Sequence, residues 1–157
     1  MRRRLEDGPG LAAARALKVE LRYASVPFVG LVADHYWFVV FDEAAGECRR
    51  WEVWQSRDAG GTSFGHLHRD LKPADAGVGG GPARTMCEWR GDEAVRISKV
   101  LFSCTTAYPY RDRYRAWPGP NSNTFVAWVL REAGIAFRLP WRAIGKRYLK
   151  KAPREPA

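Results

Sequence analysis

The chain has 157 residues, a length that suits one domain. With 46% apolar residues and seven Trp, it is too rich in core-forming side chains to be disordered. Its net charge of +9 admits an anionic partner, nucleic acid or anionic lipid, but the basic residues are scattered or terminal (Arg2 to Arg4, Lys146 to Arg154) and no nucleic-acid motif accompanies them.

Residues 1–16 read as a flexible basic arm rather than a secretion signal, because Glu6 and Asp7 follow the arginines and Arg15 interrupts the short apolar run. Leu17 to Tyr23 alternates apolar and polar residues, which predicts a half-buried strand. A loop through Pro27 and Gly30 is expected next. Asp34 to Asp42 is aromatic and β-branched, a buried strand, and Glu43 to Gly46 turns it into a returning strand over Cys48 to Gln55. Ser56 to Gly61 is loop, Phe64 to Leu71 a short strand, and the Gly-rich stretch Ala74 to Pro82 a surface connection. It lacks the strand-then-helix setting of a phosphate-binding loop.

Ala83 to Arg90 is a further strand. Asp92 is expected to cap a helix whose apolar face is Ala94, Ile97, Val100 and Leu101. Tyr108 to Pro120 is an aromatic, Arg-rich loop. A second helix opens at Asn121 or Ser122, buries Phe125, Trp128, Val129 and Ala133, and stops at Gly134. Ile135 to Leu139 is expected to be extended, and Leu139 to Tyr148 closes a single α+β domain over 17–149. Residues 150–157 form a basic tail.

The longest apolar runs are far too short to span a bilayer. Cys48, Cys87 and Cys104 are odd in number and lack metal-ligand spacing, so reduced thiols, a cytoplasmic setting and no metal or cofactor are expected.

Ser122 has two readings. Its oxygen can cap free amides of the helix it opens, worth about 0.5–2 kcal/mol. The same position suits a nucleophile, because amides at a helix N-terminus can hold an oxyanion. A serine hydroxyl then needs an adjacent base. His35, at the head of its strand, is the candidate; His66 and His68 are weaker, since they alternate and face opposite sides of any strand. The returning strand brings Glu52 or Gln55 beside His35 to orient the ring, and parity alone does not choose between them.

This order of parts, a strand histidine, a partner strand and a late helix-opening residue in Asn121-Ser122-Asn123-Thr124-Phe125, resembles the circularly permuted papain-like superfamily. That group includes NlpC-type peptidases, PPPDE proteases and lecithin–retinol acyltransferase-like proteins. The resemblance implies a central antiparallel sheet packed on helices, His35 as base and Ser122 at the nucleophile position, where the superfamily has cysteine. More closely, Asp34-His-Tyr-Trp-Phe38, Trp51-Glu-Val-Trp54, Gly119 to Phe125 and Leu139 to Lys146 resemble an uncharacterised bacterial family of unknown function, over about residues 17 to 149.

Three functions are therefore expected in competition. The first is a serine-dependent hydrolase or acyltransferase acting on an amide or ester, with Asn121 or Asn123 helping to hold the oxyanion and Tyr114 and Trp117 lining the cleft. The second is a catalytically inactive relative that binds a peptide or acyl group in that cleft. The third is a basic module for nucleic acid or anionic lipid.

Overall fold

A computed structural model describes residues 16–28 and 31–150. Six strands, β1 (Leu17–Phe28), β2 (Leu31–Asp42), β3 (Glu47–Val53), β4 (Thr62–Phe64), β5 (Leu67–Arg69) and β6 (Arg84–Arg90), form one antiparallel sheet in the order β4-β5-β3-β2-β1-β6. Two helices, α1 (Gly91–Ala107) and α2 (Ser122–Glu132), make the fold α+β. The expected N-terminal arm to residue 15 and the tail beyond residue 150 lie outside the described residues.

The strong hydrophobic periodicities become the elements they predict. β2 and β3 pair as a hairpin from Asp42↔Glu47 to Phe38↔Trp51. Asp42 Oδ1 accepts the amides of Ala44 and Ala45, and Gly46 turns at a φ of 67°. β1 is longer than expected and runs through Pro27 instead of breaking there. Its ladder with β6 ends at Tyr23, so beyond that point one side of β1 has no strand partner and the missing proline N–H disturbs no ladder there. The expected strand over Phe64 to Leu71 is a tight hairpin of two three-residue strands, β4 and β5.

Strand alternation gives the sheet two distinct faces. Leu21, Tyr36, Phe38, Trp51 and Val53 face α1 and α2 and share a core with Ile97, Leu101, Phe125 and Val129. Trp37, Val39 and Ala24 face the other way and bury Val78. The 74–82 connection, expected to be a surface link, is thus the cover of this second face. Gly77 is required there: an added Cβ would stand 1.8 Å from the Gly81 carbonyl oxygen.

Two further expectations are corrected. Asp92 is not the cap of α1. Arg90 occupies that position without a side-chain bond to the helix amides, and Asp92 and Glu93 sit in the first turn, where carboxylates suit the positive end of the helix dipole. Residues 135–139 join no strand, and the amide of Phe137 bonds locally to the Ile135 carbonyl. No described helix is long and apolar enough to cross a membrane.

Candidate functional site

The N-terminus of α2 is docked at a split in the sheet. The β2–β3 ladder stops at Phe38↔Trp51, while β3 continues against β5 to Val53. The edge of β2 left bare from Asp34 to Tyr36 carries backbone groups that need partners. Asn123 supplies them: its Oδ1 accepts the Tyr36 amide at 3.2 Å, and its Nδ2 donates to the Asp34 carbonyl at 2.8 Å. These two groups flank His35. The Asp34 amide bonds to the Arg142 carbonyl at 3.0 Å. The first turn of α2 is thereby pinned to the backbone of the histidine.

Asn121, not Ser122, is the cap. Its Oδ1 accepts from the amides of Asn123 and Thr124, and Thr124 Oγ1 accepts the Asn121 amide in return, a reciprocal capping box. Ser122 is the first helical residue. Its hydroxyl is buried and its contact is a long one, 3.5 Å to Asn123 Oδ1. The capping role is filled by a neighbour.

His35 and Glu52 meet as the hairpin argument expects. His35 Nε2 lies 3.0 Å from Glu52 Oε2, bridging the place where β2 and β3 part. Glu52 is fully buried, and so is Arg50, two residues earlier on the same strand face. Arg50 donates to Glu52 Oε2 at 3.0 Å, and its Nε stands 2.8 Å from Oε1 in an ion pair. It also donates to the carbonyls of Pro73 and Ala76 and stacks 4.2 Å over the Trp37 ring. Burial alone would raise the Glu52 carboxyl, but His35 and Arg50 outweigh it and hold the group below the usual carboxylate range. A carboxylate only accepts, so Nε2 carries the proton and the lone pair of neutral His35 is on Nδ1. Trp37 and Trp54 enclose the ring, at centroid distances of 5.6 and 5.4 Å.

Among the described residues no hydrogen bond joins Ser122 to His35. Gln55, the other candidate for orienting the ring, is exposed and lies beyond the end of β3; Glu52 holds that place. Asn121 and Asn123 do not offer free donors for an oxyanion. Asn121 Nδ2 bonds to the carbonyls of Ala116 and Ile144, and Asn123 Nδ2 to those of Asp34 and Ile144. The backbone amide of Ser122 is the first-turn N–H that the cap does not take.

Tyr114 does not line an open cleft; it stacks on His66 at 5.6 Å, and burial raises its hydroxyl above the usual range. His66 Nδ1 lies 3.0 Å from the Trp54 carbonyl. His68 is wholly buried, accepts the Ala59 amide at Nε2, and is held below its usual range by burial. Both histidines serve the fold. Trp117 is exposed and borders a groove of about 430 Å³ with Trp141, Lys146 and Arg147. Among the described residues no group of three or more His, Cys, Asp or Glu is placed to hold a metal ion.

Sequence reasoning missed Arg50, although Arg50 and Glu52 share one strand parity and a signal was therefore present. It also missed Arg142, which bonds to Ser25 Oγ and lies 3.1 Å from Asp34 Oδ1; nothing in sequence spacing marks that pair.

The floor beneath Asn121 admits no side chain. At Gly145, with a φ of 94°, an added Cβ would stand 2.3 Å from Asn121 Nδ2. Gly145→Ala is expected to displace the cap and cost about 1–3 kcal/mol, a loss that equilibrium urea denaturation reads directly.

No curated protein and no solved structure matches the chain. A family model does, over residues 16–148, spanning both His35 and Ser122. The chain belongs to the family described as Protein of unknown function (DUF3750).

Proposed function

We propose that the chain is a hydrolase or acyltransferase of permuted papain-like architecture, acting on an amide or ester. The observation that carries this reading is the Asn123 clamp. It pins the helix end bearing Ser122 to the backbone on both sides of His35, whose ring is held by the buried Glu52. The order of parts supports it too: a strand histidine, its partner strand, then a late helix-opening nucleophile against an antiparallel sheet.

In this reading the Ser122 hydroxyl leaves its long contact with Asn123 by rotating about χ1 and turns towards His35 Nδ1. Oγ attacks the substrate carbonyl carbon as Nδ1 takes its proton. The electron pair of the C=O bond moves to oxygen, where the Ser122 amide donates to it at the positive end of α2. Collapse expels the amine or alcohol, which takes the proton back from His35 and leaves an acyl-serine. Water or a second nucleophile then releases the acyl group by the same proton path. Glu52 holds Nε2–H throughout and stabilises the imidazolium; it does not take the proton.

The test is labelling with a fluorophosphonate probe, read by intact mass and peptide mapping. Adduct formation on Ser122 in the wild type, lost in both Ser122→Ala and His35→Ala with the fold retained by circular dichroism, is the expected result. Absence of an adduct in the wild type would sink the reading. The second reading, an inactive cleft that binds a peptide or acyl group, is favoured by one observation. The hydroxyl rests on Asn123 rather than on His35, and a serine cannot form the thiolate that papain-type catalysis uses.

A further inference from the structure

The exposed apolar residues are not scattered. Among the described residues five large hydrophobic side chains are exposed: Leu31 (63%), Val32 (51%), Trp117 (70%) and Trp141 (77%) belong to one end of the molecule, and Phe102 of α1 lies against Trp51 of β3. Trp117 and Trp141 border the same groove. Leu31 and Val32 start β2, within three residues of Asp34, whose amide and carboxylate both bind Arg142, the residue after Trp141.

The positive charge gathers on the same segments. Residues 113–149 contain seven basic side chains (Arg113, Arg115, Arg131, Arg138, Arg142, Lys146, Arg147) against one acid, Glu132. Arg131 pairs with Glu132, Arg142 with Asp34, and Lys146 donates to the carbonyls of Leu139 and Pro140. Arg113, Arg115, Arg138 and Arg147 are exposed, and their guanidinium groups make no hydrogen bond or ion pair among the described residues. A second groove, lined by Arg131, Phe137 and Arg138, adjoins the first through Lys146 and Arg147.

From this arrangement we infer that this end of the molecule docks on an anionic phospholipid bilayer. Indoles suit the headgroup boundary because each has an apolar ring and one polar N–H. Aliphatic side chains beside them suit the acyl boundary, and unpaired arginines suit anionic headgroups. A single-stranded nucleic acid would use the arginines and could stack on the indoles. It has no use for exposed Leu31 and Val32, and these decide between the two. The inference stands on its own and holds whether or not Ser122 reacts.

Sedimentation with phosphatidylglycerol–phosphatidylcholine vesicles, alongside pure phosphatidylcholine vesicles, tests it. The wild type is expected to bind the anionic vesicles, with a blue shift of Trp emission, and to release them as salt rises. Leu31→Ser with Val32→Ser, and separately Trp141→Ala, should each weaken binding about tenfold. Arg138→Gln with Arg147→Gln should weaken it too. All these side chains are exposed, so each variant is expected to fold, which circular dichroism checks. Failure to bind anionic vesicles, equal binding to neutral ones, or binding unchanged by Leu31→Ser with Val32→Ser would overturn the inference. So would a preference for oligothymidine over the anionic vesicles.

Discussion

Glu52→Leu is expected to destabilise the fold by about 3–5 kcal/mol, a large share of what a domain of this size has. The reason is the company Glu52 keeps. Arg50 is buried with it, and this carboxylate is the only anionic partner of its guanidinium among the described residues. Removing the carboxylate leaves a buried guanidinium with the Pro73 and Ala76 carbonyls alone. Arg50→Met should cost a similar amount, because it leaves the buried carboxylate with His35 alone and frees the 73–76 segment that covers Trp37. The double substitution Arg50→Met with Glu52→Leu should cost much less than the sum, since neither charge is then left behind. Urea denaturation of the four proteins closes this cycle. Additive losses would mean that the two side chains are not energetically a pair.

The same cluster sets a pH dependence on the acid side. The folded-state carboxyl of Glu52 is depressed below its ordinary value of 4.5. Its contribution is therefore fully present above that value and is lost as pH falls through the folded one. Stability of the wild type should decline in that window, and Arg50→Met with Glu52→Leu should flatten the part of the decline due to this group.

The sheet and the main elements were readable from the sequence because their signals are local. The aromatic alternation of β2 and the turn after it fixed the hairpin, and that hairpin alone brought Glu52 to His35. Gln55 was an equal candidate on paper, because facing depends on register; only the end of β3 at Val53 separates the two. The roles around Ser122 were harder. Asn121, Ser122 and Asn123 are all good capping residues by type, and the choice among them was made by distant partners. The carbonyls of Ile144 and Asp34 claim the two asparagine amides and leave serine idle. The 74–82 connection misled for a similar reason. Its glycines look like a loop's, and what they permit is a close return of the chain that buries Val78 on Trp37 and Val39.

Ser122→Cys puts the proposed chemistry to a test that needs no substrate. A thiol at a helix N-terminus beside a histidine has its pKa drawn from about 8.5 into the range of about 3.5–7.5. It is then a thiolate at mildly acidic pH, where ordinary thiols are protonated. The native cysteines give a quiet background. Burial pushes Cys104 up to about 12 and raises Cys87, while Cys48 is an exposed thiol on β3. At pH near 6 the S122C thiol should therefore be alkylated by iodoacetamide at least about tenfold faster than Cys48. Adding His35→Ala should remove most of that advantage, as the proposed pairing of Ser122 with His35 requires. A control in the helix dipole alone distinguishes the contributions: whatever acceleration survives His35→Ala belongs to the N-terminus of α2. Alkylation of the S122C thiol no faster than that of Cys48 would mean that the Asn123 clamp brings the helix to the strand without bringing the side chains together. Ser122 would then be a buried hydroxyl of the first turn, and the acyl-transfer reading would fall.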